Sequence, residues 1–472
     1  MFTRRELLKT AAGAALLTAG AHQRVQAQVS RTPTVWKDLE TAAKPFGGRT
    51  IRILGEDLPP LHSLNRIQGE FKAKTQATLD IDFKNHSGVI QSVLAGALNR
   101  SYRYDIIFVP HKELGRLIEI KAIKAIDSIV ANAALRDPSI QPTVQFFDPF
   151  WTEVATYRNN WYAVPLYLGG SIVVCRGDLV NAANEQNAFS KKYSGNNLSL
   201  PNNFAEWRRL AEFFYRPNAT PPLFGIALLL SEESLWYEWQ SVLFAFGGNV
   251  LDAKHSWEYG DIVVNSPQAI AATEAYYQLS KFCPPDASAY SWGLGIAKQQ
   301  AGQNFMTLLQ YDVVAEFEDP QKTALAGKFD YFLPVGPDGR RASQMESWVG
   351  VIPASARSPE LSWLLLQWMM GPDIQLRMHL EGNVSPRKST YDDPRVKAMR
   401  PTKTILESVP LMVPKPTIPE ASAIQQILTR QLQQVMSGAQ PAKVSLNRAA
   451  VEIGQRLGRR AKLRYPVGAS GR

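Results

Sequence analysis

Cysteine is nearly absent from this chain, with two in 472 residues, Cys175 and Cys283. Two thiols cannot hold an iron–sulfur cluster alone. Cys175 ends the apolar run Ser171-Ile172-Val173-Val174-Cys175, and Cys283 stands at a helix end before Pro284-Pro285. In an oxidising compartment the two could pair, but both are expected as buried free thiols. After the N-terminal region no apolar run reaches ~18 uncharged residues, so nothing there reads as a membrane span. Internal repeats and low-complexity tracts are missing. So are G-x-x-x-x-G-K-[ST], H-E-x-x-H, G-x-S-x-G and a G-x-G-x-x-G after a strand, which removes the common nucleotide, zinc-protease and serine-hydrolase signatures.

The chain does have a globular composition, 45% hydrophobic, 20% charged and 10% aromatic. Its start carries Thr3-Arg4-Arg5-Glu6-Leu7-Leu8-Lys9, a mild apolar run from Thr10 to Ala21, then Val25-Gln26-Ala27. A charged region, a short apolar region and small residues two apart make an export signal over residues 1–28. The paired arginines resemble a twin-arginine (Tat) signal, and an ordinary secretory signal is the alternative. Either route implies a periplasmic protein whose mature chain has room for two domains. The net charge of +10 falls to about +7 once the signal is removed. Arg456, Arg459, Arg460, Lys462 and Arg464 gather in the C-terminal tail and read as a solvated helix end, with no nucleic-acid partner expected.

Strand and helix patterns alternate from residue 50. Thr50 to Gly55 has period two, Leu61, Leu64, Ile67 and Phe71 share a helix face, and Leu79, Ile81 and Phe83 alternate again. Ser87 can cap a helix whose Val89, Val93 and Ala97 make an apolar stripe. Tyr104 to Pro110 reads as a strand buried on both faces. This βαβαβ order predicts an α/β protein with an open parallel sheet. Helix starts follow at Pro201 to Trp207, Ser266-Pro267 and Ser358-Pro359, with a strand at Lys328 to Val335 and a helical segment from Ala421.

Several local patterns then occur in a familiar order. Tyr104-Asp105-Ile106-Ile107-Phe108-Val109, Asn160-Trp161-Tyr162-Ala163-Val164-Pro165, Pro201 to Trp207, Phe244 to Asn249, Val264-Asn265-Ser266-Pro267, Trp348 to Pro353 and Asn383 to Ser389 together resemble the extracellular solute-binding proteins of bacterial ABC sugar importers, relatives of maltose-binding protein. The likeness covers roughly residues 49 to 435. It implies a two-lobe, type II-like periplasmic binding fold whose cleft closes on ligand by differential affinity. Lobe one is expected from 29–167 plus 334–382, and lobe two from 168–333 plus 383–472. The implied partners are a carbohydrate ligand and a membrane permease, with a monomeric receptor, no cofactor and no metal.

A sugar presents hydroxyls at its edge and C–H groups on its faces, so its site needs carboxylates or amides together with rings. Glu56 and Asp57 follow the first strand at its carboxyl end, where open α/β sheets bind ligands. A solvated loop pair is the plainer reading. His111, after the third strand, is either a ligand contact or an ordinary loop histidine, and no second His or Cys lies at metal-ligand spacing. Gly170 and Ser171 match the first crossing between lobes, as cleft contacts or as a hinge. Of Trp236, Tyr237 and Trp239, at least one is expected to stack on ligand and the others to fill core. The resemblance adds Trp292, Tyr311 and Asp312, then Trp348 from the facing lobe. Arg387 is either a ligand contact or a structural pair.

If Arg387, His111 and Lys112 all faced the cleft, an anionic sugar or a glycerol phosphate would suit it better than a neutral one. A Tat-exported enzyme acting on carbohydrate is the rival class. No enzyme is expected, because the side chains of neighbouring Glu56 and Asp57 diverge and cannot flank a glycosidic bond.

Overall fold

The computed structural model describes residues 35–99, 103–232 and 234–467, and the export signal read at residues 1–28 lies outside them. Ten of the fourteen strands among the described residues carry the architecture: β1 (Thr50–Glu56), β2 (Thr78–Lys84), β3 (Ile106–Pro110), β4 (Ala163–Pro165), β5 (Ser171–Arg176), β6 (Met306–Gln310), β7 (Phe329–Phe332), β8 (Ser343–Met345), β9 (Trp348–Val351) and β10 (Met412–Pro414).

The first lobe is built on a five-stranded sheet in the order β2-β1-β3-β9-β4. β1 runs parallel to β2 and β3, while β9 enters antiparallel between β3 and β4. Ile51 and Ile53 are buried, and every residue of β3 is buried, as the uninterrupted apolar run requires. Helices Pro59–Thr75 and His86–Leu98 make the crossovers. The second of these is capped by Asn85, whose side chain accepts from the Gly88 amide. Ser87, two residues later, is therefore inside the helix and is not its cap. Because β9 runs backwards, its first residue Trp348 lies opposite Pro110 at the end of β3. One edge of the sheet thus gathers Glu56, Pro110 and Trp348.

The second lobe centres on the antiparallel sheet β6-β5-β7. Helices Phe204–Phe213, Leu235–Ala245, Pro267–Ser280, Ala421–Met436 and Ala442–Leu457 pack around it. Leu235–Ala245 is buried at every position, which explains its dense aromatic content. Cys175 and Cys283 are both buried and free, as expected, and burial pushes both thiols well up.

Two chain segments join the lobes side by side. The Leu166 amide donates to the Trp348 carbonyl at 2.8 Å, and the Glu346 amide to the Gly169 carbonyl at 3.1 Å. Ser171 then donates its amide to Ser343 Oγ at 2.7 Å. Gly169 is obligatory here, since a Cβ would stand 2.3 Å from the Glu346 carbonyl oxygen. Residues 385–391 stay with the first lobe: the Phe147 amide donates to the Pro386 carbonyl, and Tyr391 packs on Phe147 and His379. In the tail, Arg460 pairs with Glu420 and Arg464 with Asp261. Among the described residues no helix is long and apolar enough to cross a membrane.

Candidate functional site

A cavity of about 310 Å³ lies where the two lobes face each other. The first lobe contributes Glu56, Asp57 and Leu58 from the end of β1, His86 after β2, Pro110 from the end of β3 and Trp348 from the start of β9. The second contributes Tyr237, the segment Ser291 to Gly293, Gln310 at the end of β6, and Asp312 and Val313 just beyond it. Tyr167 and Glu346 line it from the crossing segments. Strand ends collect these groups because the sheet edge is where backbone pairing stops and loops diverge.

Rings supply much of the wall. The Trp348 and His86 rings stand edge to face with centroids 5.5 Å apart, and those of Tyr237 and Trp292 lie 6.1 Å apart. Carboxylates supply the rest. Glu56 Oε2 lies 3.3 Å from His86 Nδ1, and Asp57 Oδ1 is 2.5 Å from His62 Nε2. Asp312 Oδ1 is buried without a hydrogen-bond partner among the described residues. Burial raises the Asp312 acid to about 7, and the charges of Glu56 and Glu316 add to the shift. Burial also lifts the Tyr167 phenol well above its ordinary range.

Behind the wall, Glu346 meets His111 Nδ1 at 3.1 Å and forms an ion pair with the buried Lys415. Burial, with the Lys415 charge beside it, lowers His111 to about 3, so this imidazole is neutral at ordinary pH. Among the described residues, no group of three or more His, Cys, Asp or Glu is placed to hold a metal ion. The walls can accept hydrogen bonds from donors on a polar guest and cover its C–H faces.

The family model of bacterial extracellular solute-binding proteins matches residues 57–376. The chain belongs to that family. Among solved structures it is similar to the ABC transporter solute-binding protein of Agrobacterium radiobacter K84 in complex with ribitol, at 22% identity and a TM-score of 0.74, covering 88% of this chain and 100% of that one. It is also similar to maltose-bound MalE3 of T. maritima, at 19% identity and a TM-score of 0.72, with 87% and 100% covered. A Thermotoga lettingae TMO solute-binding protein bound with α-D-tagatose matches at 18% identity and a TM-score of 0.72, again with 87% and 100% covered. These likenesses establish the two-lobe fold. No curated protein matches the chain in sequence.

In this solute-binding chain the cavity brings together Glu56, Asp57, Tyr237, Trp292, Asp312 and Trp348. Six other expected residues lie elsewhere. Tyr311 is fully buried, with its hydroxyl 3.2 Å from Ser343 Oγ, because the short helix Tyr311–Phe317 turns it under the crossing while Asp312 faces out. Gly170 is pressed against that ring and Ser343, where a Cβ would come within 2.7 Å of both. Ser171 accepts from Ser241 Oγ at 2.5 Å inside the second lobe. Trp236 is core packed beside Trp239. His111 sits one layer behind Glu346. Arg387 is spent on Gln145 Oε1, the Met370 carbonyl and the Phe146 ring. Lys112 pairs with Glu113 at 2.9 Å.

The condition for an anionic ligand thus fails, since none of Arg387, His111 and Lys112 lines the cavity. Sequence reasoning missed His86, Tyr167, Gln310 and Glu346. His86 follows β2 at the edge that also holds Glu56 and Pro110, so the strand-end rule reaches it. Glu346 had no signal of its own.

Proposed function

We propose that this solute-binding protein captures a carbohydrate, a monosaccharide, short oligosaccharide or polyol, and hands it to the permease of an ABC importer. The observation that carries this reading is a cavity lined from both lobes by carboxylates and aromatic rings. Its volume of about 310 Å³ is at the small end of ligand sites, ~300–1,000 Å³. The ribitol, maltose and tagatose bound by the structural relatives point the same way. A ligand touching both lobes is held only when they approach, so it favours the closed state. Glu56, Asp57, Tyr237, Trp292, Asp312 and Trp348 would contact it.

In this reading the protein is an exported, periplasmic monomer, carried by the twin-arginine route, and makes or breaks no bond in its guest. Its third crossing between lobes falls between Tyr391, packed on lobe one, and Arg400, bonded to the Phe329 carbonyl of lobe two. Thermal denaturation against a panel of sugars and polyols tests it. A ligand at 100 times its Kd adds ~2.7 kcal/mol of stability. No shift with any sugar or polyol overturns the reading.

A further inference from the structure

Glu56 and Asp312 reach the cavity from opposite lobes, and Asp312 feels the charge of Glu56 across it. Closing the lobes drives two like charges together, which opposes closure unless something positive enters between them. Of the other two lining carboxylates, Glu346 pairs with Lys415 and Asp57 lies against the His62 ring, as Glu56 lies against His86. Glu56 has the His86 ring at 3.3 Å, and Asp312 Oδ1 has no hydrogen-bond partner among the described residues. No arginine or lysine among the described residues lines the cavity. This local negative excess runs against the chain's net charge of +10, so composition does not produce it.

Two further features agree. Tyr167, Tyr237, Trp292 and Trp348 line the same space, and ring faces attract a cation through their quadrupole. A groove of about 660 Å³ shares Asp57 and Asp312 with the cavity. It adds Glu316, Glu318, Asp319 and Glu381 against His62, Arg66 and Lys322, an acidic approach that concentrates cations.

We infer that the ligand carries a primary ammonium, as an amino sugar or amino-alditol, held between Glu56 and Asp312 against the aromatic wall. This deepens the carbohydrate reading and rests on it. A neutral sugar could satisfy the carboxylates with hydroxyls but would leave the repulsion of the ionised pair to be relieved only by a proton on Asp312. An ammonium group removes it, and so gains most in the closed state.

Matched pairs separate the two claims. Calorimetric titration of the full mature chain at pH 7, where the hexosamines are mostly ammonium, would use glucosamine against glucose, galactosamine against galactose, mannosamine against mannose, and glucamine against sorbitol. N-acetylglucosamine serves as the uncharged control. The amine of at least one pair is expected to bind about tenfold tighter than its neutral partner, with N-acetylation abolishing the gain. Asp312→Asn should lower that amine-to-neutral ratio about tenfold. Glu56→Gln should move it the same way, which keeps the test open if one variant fails to fold. Neutral partners that bind as well as the amines, or a ratio unmoved by both variants, overturn the ammonium inference and leave the carbohydrate receptor standing. Binding of neither member of any pair overturns the ammonium inference, while the carbohydrate reading falls only if the wider sugar and polyol panel is silent as well.

Discussion

Lys415 holds its ammonium 4.5 Å from the centroid of the Tyr237 ring and pairs with the carboxylate of Glu346. The three groups come from different parts of the chain, Lys415 just after β10, Tyr237 on a lobe-two helix and Glu346 between β8 and β9. Burial, with Lys112 nearby, pulls the Lys415 ammonium well below its ordinary range.

Lys415→Met should lower stability by about 3 kcal/mol, because it leaves Glu346 buried without its main counter-charge. Glu346→Gln with Lys415→Met should recover most of the loss. Urea midpoints of both single variants, the double variant and the parent make this check, and additive losses would show that the pair is not coupled.

Trp348 and Tyr311 should behave in opposite ways. Trp348 faces the cavity, so Trp348→Ala is expected to weaken ligand binding by ~1–3 kcal/mol with a small effect on melting. Tyr311 is sealed under the crossing, so Tyr311→Ala is expected to cost about 3–5 kcal/mol of stability through the cavity it leaves. Titration calorimetry beside thermal denaturation distinguishes them.

Glu238 gives the fold a pH dependence. Its Oε2 accepts from the Tyr276 hydroxyl at 2.7 Å and the Leu229 amide at 2.8 Å, yet burial still raises the acid from 4.5 to about 8. The folded value exceeds the unfolded one, so folding favours the protonated form. The associated stability is complete below about pH 4.5 and declines as pH rises toward 8. His111, lowered to about 3, acts in the opposite sense and loses its contribution as pH falls below about 6.5. Glu238→Gln should therefore flatten the decline between pH 5 and pH 8 by on the order of 3 kcal/mol. Denaturant midpoints at the two pH values, compared between parent and variant, isolate the Glu238 share.

Gly169→Ala should destabilise the protein by about 1–3 kcal/mol, because the added methyl meets backbone that cannot move aside. Gly195→Ala is a control for space, since nothing lies within 4 Å of a Cβ there, although its positive φ of 87° adds strain of its own. Melting temperatures of both variants make the comparison.

Much of the first lobe was readable before any coordinates. Period two at Ile51 and Ile53 and the solid apolar run at Ile106 to Val109 fix two neighbouring strands, because burial on one face or two leaves that trace. The strand-end rule then finds Glu56. It works equally well for His86, which was passed over only because β2 alternates weakly and its end draws less notice. Tyr311 and Asp312 show the limit. They are adjacent, and a single short helical turn decides which one sees the cavity, a choice invisible to spacing. Arg387, open in sequence between a ligand contact and a structural pair, and Lys112 show a second limit. A charged residue near a cleft reads as a contact until its partners are seen to occupy it, the Gln145 and Met370 oxygens for Arg387 and the Glu113 carboxylate for Lys112.

The two linking segments are fastened at both ends, to Trp348 and Val384 on one side and through the Ser343 hydroxyl on the other. Bending between the halves would then concentrate in the few peptides around Gly169 and Glu346. A side chain that rides on a pivot travels least when the jaws swing. Glu346, kept in place by His111 and Lys415, would stand as a fixed datum while Glu56 and Asp312 sweep toward each other above it.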